Sequence, residues 1–408
     1  MPSELPRSPF LDLPGAVASA DDGVDRRVPT HYGSPLAEQR ALEAGGAVVD
    51  LSTRGVVSIS GGDRLSWLDS MSSQSLRALA PGCSAEALLL DPSGHVEHAL
   101  RVIDDGETTW LLVERDDTDA VLDFLLKMRF MLRVEPTDRT AEFATIGSLL
   151  AAGSELVTAD GQAAGSDGLA GLPPAVAGAA AASNGVALVW HDPWPEVVAG
   201  GHQYARPEHQ HPGAAYRWVE TLVPRDALGA LAEAVAAGEL TAAGVLAAEA
   251  LRIAAWRPRL AAEVDERTIP HELDWLRTAV HLNKGCYRGQ ETIAKVHNLG
   301  HPPRRMVFLH LDGSQGVQVP AGAEVLAGEN VVGRVTSSGI HHELGPIALA
   351  VVKRSTDPSA DLVVRVGDEL VAAAQETIVP TDAGAEADVP RIPRLGAVTR
   401  APRESTAH

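Results

Sequence analysis

The 408-residue chain is poor in cysteine, in positive charge and in long apolar runs. Its two cysteines, Cys83 and Cys286, lie far apart, with no C-x-x-C pair and no Cys/His cluster at ligand spacing. One chain therefore cannot build a structural zinc site or a four-thiolate iron–sulfur cluster. A disulfide is not expected in a reducing compartment either. Lys and Arg number 34 against 54 Asp and Glu, a net charge of −20, which argues against a nonspecific grip on nucleic acid or an anionic membrane. No stretch approaches the roughly 20 apolar residues of a membrane span. The opening "MPSELPRSPFLDLPG" is broken by prolines and charges where a signal peptide needs an apolar run. These absences predict a cytoplasmic, monomeric protein with no direct nucleic-acid or membrane partner.

What is present is ample core material: 45% of residues are hydrophobic, enough for two or three structural units. Residues 1–30 and 379–408 are aperiodic and rich in Pro, Asp and small residues, and read as flexible tails. In "AVVDLSTRGVVSISGGDRLSWLDSM" a β-branched run meets a Gly-Gly turn and then an amphipathic segment that Asp63 is placed to cap. "AEALLLDPSGHVEHALRVIDDGETTWLLVE" carries the turns of an antiparallel meander. Residues 150–188, dominated by Ala and Gly, predict only weak strands around a loop. A strand ending at Pro224, a helix from about Asp226 and a longer helix stopped by Pro258 follow. Strands and helices in separate blocks favour an α+β fold. Beyond Arg305, short strands with Gly-rich turns predict a small β-barrel or sandwich. The domain assignment is therefore 31–304 and 305–378 between the two tails.

Residues 251–305 hold ten Lys/Arg against six Asp/Glu, a local basic excess that points to an anionic small ligand, unless it is a solvated surface. Within it lies "HLNKGCYRGQETIAKVHNLG", residues 281–300. Lys284 and Arg288 flank Cys286, and "GQETIAKV" reads as a helix start just downstream; both features favour thiolate. An inert, packed thiol is the alternative. Gly285 and Gly289 permit a tight turn or a close backbone approach to a ligand. The histidines form no metal signature, so no metal site is predicted. No Walker-type loop and no G-x-G-x-x-G after a strand is present.

The string "NKGCYRGQE" resembles the K-G-C-[FY]-x-G-Q-E signature of the YgfZ family, folate-binding proteins related to the T-protein (aminomethyltransferase) of the glycine cleavage system. Similarity extends over most of residues 31–375, through "YGSPLAEQRALEAGGAVVDLSTRGVVSISGGDRLSWL", "VETLVPRDAL" and "EALRIAAWRPRL". The resemblance implies a T-protein-like tripartite folate-binding ring with a C-terminal barrel. It implies tetrahydrofolate or another reduced folate as ligand, with Glu220, Arg252 and Tyr204 as binding residues. A carboxylate at 220 suits the paired donors of a pterin, and a planar guanidinium at 252 suits a carboxylate-bearing folate. The motif residues Lys284, Gly285, Cys286, Tyr287, Gly289, Gln290 and Glu291 are then expected near the folate site, with Cys286 as the candidate reactive thiol.

One departure matters. T-proteins carry an Asp pair after a Gly-Gly hairpin, one of which serves methylene transfer, whereas "PSGHVEHALRV" puts His98-Ala99 there. Glu97 is adjacent, yet strand alternation turns it opposite to His98. The resemblance thus implies a folate-binding protein that assists synthesis or repair of iron–sulfur clusters in client enzymes, tRNA-modifying ones included, without holding a cluster itself. Its partners would be those clients or assembly proteins. The alternatives are a folate-dependent aminomethyltransferase or demethylase acting on a small amine, and a ligand-free partner-binding protein.

Overall fold

The computed structural model describes residues 5–20, 23, 25–151, 154, 168–314 and 316–387. Strands and helices fall in blocks, as the α+β reading requires. One five-stranded sheet runs Val189–His191, Trp218–Pro224, Phe143–Leu149, Ala47–Asp50, Thr241–Ala243, with only the last pairing parallel. The second runs Ser84–Leu90, Val96–Asp104, Thr108–Val113, Gly55–Ser60, Glu135–Asp138, antiparallel throughout.

Side chains alternate across a strand, so each sheet has two faces to bury. Trp218 and Leu222 join a core shared by both sheets, which also takes Ile103, Trp110 and Leu112. Val223 packs outward against Leu228 and Leu231 of the helix Leu228–Ala236. On the second sheet Leu100, Val102 and Leu111 pack outward against Trp67, Leu68, Val121 and Leu125 from the helices Arg64–Met71 and Thr118–Met128. Glu220 and Arg101 thus lie on the inward faces of their strands, charged residues where the pattern calls for apolar ones.

Six antiparallel strands, Arg304–Leu311, Gly345–Lys353, Asn330–His341, Glu324–Ala327, Leu362–Val366 and Glu369–Thr377, close into the C-terminal barrel. Val307, Leu309, Val325, Val335 and Val364 fill its interior, while Met306, Phe308 and Leu349 face the shared core and fasten the barrel to the sheets.

The segments expected as tails are partly built in. Phe10 is buried with Val48 and Leu231, and Val28 enters the shared core. Val17–Ala18 pairs with Pro29–His31. At the other end Val379 and Ala383 are buried, and the Glu386 N–H reaches the His297 carbonyl at 2.9 Å. Single apolar residues spaced by prolines pack without leaving a periodic signal, which is why composition missed them. Residues 1–4 and 388–408 lie outside the described residues, as does most of 150–167. Beyond that gap the structure shows a short helix, Pro174–Ala179, and the paired strands Ala182–Ser183 and Val186–Ala187. Asp63 does not cap its helix; its carboxylate bonds Arg133 instead. The helix Val245–Ala254 ends before Pro258, where Trp256 takes φ 60°. Among the described residues no helix is long and apolar enough to cross a membrane.

Candidate functional site

The inward-facing charges of the two sheets meet in a central cavity of about 40 Å³. Its aromatic wall is Trp190, Tyr216, Trp218 and Trp275. Tyr216 and Trp218 lie nearly parallel, with centroids 6.1 Å apart, and the Arg101 guanidinium sits 5.6 Å from the Trp190 ring centre. The polar wall combines five arginines (54, 101, 252, 257 and 259) with six carboxylates (Asp25, Glu86, Glu114, Asp192, Glu220 and Glu249).

These charges are paired. Arg54 donates to Glu220 Oε1, which also accepts from Trp218 Nε1 at 3.1 Å. Arg257 bridges Glu86 at 2.6 Å and Asp192 at 2.9 Å. Arg259 holds Asp25 at 2.7 Å, Glu114 at 2.8 Å and Glu249 at 3.1 Å. Burial alone would raise the Glu220 carboxyl, but Arg101, Arg54 and the Trp218 bond hold it below its usual value. Glu114 is held well down against the same burial by Arg259 and Arg54. Asp192 is the exception: burial, with Glu86 beside it, raises it despite Arg257. The basic excess of 251–305 is therefore not an open anion patch. Carboxylates pair with Arg252, Arg257 and Arg259, Arg277 and Arg305 bond carbonyl and amide oxygens, and all five are buried.

Four buried polar atoms of this wall have no hydrogen-bond partner: Glu220 Oε2, Arg54 Nε, Arg257 Nη1 and Trp275 Nε1. Arg101 Nε lies 3.5 Å from Glu220 Oε2, too long for a sound bond. One unused acceptor and three unused donors in a buried, aromatic-walled space are an arrangement that a heterocycle with both donors and acceptors can satisfy.

Of the binding residues expected from sequence, the structure brings two to this cavity. Glu220 is 1% exposed on its wall. Arg252 also lines it, but its five N–H groups are directed at Glu249, Glu263, the Arg257 carbonyl and Ser337, so it ties its helix to the barrel. Tyr204 is not in the wall; it is buried with its hydroxyl 3.0 Å from His297 Nδ1. Of the His98-Ala99 pair, Ala99 lines the cavity. His98 points outward to Asp117 at 2.7 Å. Leu89 pairs with His98 and Leu90 with Val96, so Glu97 is the extra residue of a bulge. It pairs with Arg288 at 2.8 Å near the surface, outside the cavity.

The cysteine motif is not in the central wall either. Lys284 donates to the carbonyls of Asp69, Ser72 and Gln74, satisfying the C-terminal end of the helix Arg64–Met71. Its ammonium is spent on backbone, not on the thiol. Tyr287 is buried, while Gly285 and Cys286 are exposed. Gly289 has φ +82°, and a Cβ there would sit 2.7 Å from the Asp91 carbonyl and 3.0 Å from Gly94, so the motif is pressed onto the Asp91–Gly94 hairpin. The Gln290 amide lies 3.4 Å from the carbonyls of Lys284 and Gly285 and helps close the loop. Gln290 opens the expected helix, Gln290–Leu299, with Glu291 exposed. Tyr287, Gln290 and His297 border a separate cavity of about 270 Å³.

Sequence reading missed Arg54, Arg101, Glu86 and Asp25, and took Arg257 and Arg259 only as members of the basic excess of 251–305. For Arg101 a signal existed, a cation between Ala99 and Ile103 on one side of a strand. It also missed a group formed by exposed Glu43 with buried His341 and half-buried His342, whose ligand atoms lie within 4.8 Å of one another. His341 Nδ1 there accepts the N–H groups of Glu343 and Leu344.

Residues 304–380 match the family of the glycine cleavage T-protein C-terminal barrel domain. The chain is 26% identical over 333 residues to an aminomethyltransferase of Streptomyces coelicolor, spanning 80% of this chain and 83% of that protein. It is 26% identical over 364 residues to an aminomethyltransferase of Streptomyces avermitilis, spanning 86% and 91%. Among solved structures, the glycine cleavage system aminomethyltransferase T from Bartonella henselae superposes with a TM-score of 0.67 at 17% identity, covering 91% of this chain and 95% of that one. The fold is T-protein-like with a C-terminal closed six-stranded barrel, and these likenesses support the aminomethyltransferase superfamily.

Proposed function

We propose that the protein binds tetrahydrofolate or another reduced folate in the central cavity without running aminomethyl transfer, and so assists synthesis or repair of iron–sulfur clusters in client enzymes, tRNA-modifying ones among them. The observation that carries the folate reading is the set of unpartnered atoms around the aromatic wall. A pterin offers a 2-amino group and N3–H to the Glu220 carboxylate and ring acceptors to Trp275 Nε1 and the arginines. Binding without transfer is supported by Ala99, which brings no carboxylate to the wall, and by the engagement of each of the six wall carboxylates with an arginine. The cluster role is supported by the motif resemblance and by an exposed thiol at Cys286, in a chain whose two distant cysteines cannot carry a cluster alone.

Calorimetry with tetrahydrofolate tests the first half: saturable binding is expected, and a flat titration removes the cofactor. Mass spectrometry of small amines incubated with protein and tetrahydrofolate tests the second. A transferred one-carbon unit would favour the transferase reading instead.

A further inference from the structure

We infer that Arg259 is an anion-recognition residue of the central site and that Asp25 is a built-in stand-in for the ligand's carboxylate, which must displace Asp25 to enter. This rests on the folate reading of the cavity. Four observations carry it. The Asp25 carboxylate meets Arg259 in a bidentate pair, Oδ2 to Nη1 and Oδ1 to Nη2, each 2.7 Å. That is the geometry with which a guanidinium takes any free carboxylate. Arg259 is 5% exposed, so the pair is largely withdrawn from water.

Among the described residues Asp25 is also the only one of the wall drawn from the chain before the strand Ala47–Asp50. Arg259's other partners are fixed by regular structure: Glu114 directly follows the strand Thr108–Val113, and Glu249 lies within the helix Val245–Ala254. Asp25 sits instead on the connection between Val17–Ala18 and Pro29–His31. Of the three carboxylates on Arg259, it is the one that can leave without breaking a sheet or a helix.

The third observation is charge. Among the described residues the wall holds six carboxylates with Asp25 against five guanidiniums; without it the numbers are equal. One ligand carboxylate that takes the place of Asp25 therefore leaves the count unchanged, whereas one that enters beside it adds a further buried negative charge, a costly event. The fourth is space. A cavity of about 40 Å³ holds a few water molecules, far short of the roughly 300–1,000 Å³ of ligand pockets. Something must move for a folate to enter, and the side chain already acting as an anion is the one whose position the ligand can take over.

The test compares wild type, Asp25→Ala and Asp25→Asn by calorimetry with three probes: tetrahydrofolate, p-aminobenzoylglutamate, which has the carboxylates without the pterin, and 6-methyltetrahydropterin, which has the pterin without carboxylates. Both variants are expected to bind the two carboxylate ligands about tenfold or more tightly than wild type. The carboxylate-free pterin should gain much less, and Arg259→Met in the Asp25→Ala background should abolish the gain. Unchanged affinity for p-aminobenzoylglutamate, or an equal gain for 6-methyltetrahydropterin, overturns the inference. Failure of the folate reading looks different: 6-methyltetrahydropterin then binds none of the proteins, while the p-aminobenzoylglutamate gain at Arg259 persists. Wild-type protein gives an independent check, because Arg26 and Arg27 follow Asp25 directly. Saturating tetrahydrofolate should speed tryptic cleavage there, and protection would overturn displacement.

Discussion

Replacing Glu220 by Gln separates its role as an internal counter-ion from the pterin-anchoring role proposed for it. The side chain is 1% exposed and sits between Arg54 and Arg101, whose side chains are 9% and 17% exposed. Losing its charge leaves the Arg54 guanidinium, one of whose N–H groups already lacks a partner, without its nearest anion. Breaking a buried pair from one side costs about 3–5 kcal/mol. Removing both charges, as in Arg54→Met with Glu220→Gln, should cost much less, since a buried pair exchanged for uncharged side chains is often near neutral. Binding behaves differently: both the single and the double variant lose the charge-assisted contact to the pterin, about 1.5–3 kcal/mol of affinity. Denaturant unfolding at 25 °C measures the first pair of numbers, and calorimetry with tetrahydrofolate the second. If Glu220→Gln unfolds within about 0.5 kcal/mol of wild type, or the double variant is as unstable as the sum of the singles, the paired-charge account is wrong. If folate affinity survives in a folded variant, the pterin assignment is wrong.

Three further outcomes are expected. Cys286 is exposed and Cys83 is half-buried, where burial pushes its thiol up; iodoacetamide at neutral pH should therefore label Cys286 first. Cys286→Ser should leave unfolding within about 0.5 kcal/mol of wild type while lowering iron–sulfur enzyme activity in cells that depend on the protein. Equal labelling of the two thiols would contradict this. His271 is fully buried, with Nε2 on the Ile293 carbonyl at 3.1 Å, and burial pushes it down to about 3. Below pH 6.5 the unfolded chain takes up a proton that the folded His271 refuses, so stability is complete above that pH and falls as pH drops toward 3. The contribution reaches about 1.4 kcal/mol per pH unit. In a pH series of denaturant melts His271→Gln should remove that part of the slope, and an unchanged slope would show the proton goes elsewhere.

The barrel was legible because its signal is local: alternating strands and Gly turns follow one another without help from the rest of the chain. The cysteine motif was legible as a pattern but not as a mechanism. Lys284 lies beside Cys286 in sequence, yet its ammonium is held by carbonyls of residues 69, 72 and 74, a partnership no spacing near the motif reveals. Gly289 was read as permitting a tight turn or a backbone approach to a ligand; what it approaches instead is the Asp91–Gly94 turn, far upstream. In the central site half of each pair could be read. Arg101 and Glu220 break apolar faces of their strands, which marks each as a buried charge needing a counter-ion, but the counter-ions arrive from other elements of the ring. Asp25 comes from a segment that composition assigned to a tail. The basic excess of residues 251–305 misled for the same reason, since a charge count along the chain omits neutralising groups brought in by folding. This changes how an anion can be recognised here. A patch of unpaired cations would draw anions by its field and weaken with salt. A neutralised, buried network draws none at a distance, and it admits a carboxylate only by exchange for one of its own. Selectivity then depends on which internal carboxylate can leave, and Asp25, alone among those on Arg259, is held by neither a strand end nor a helix.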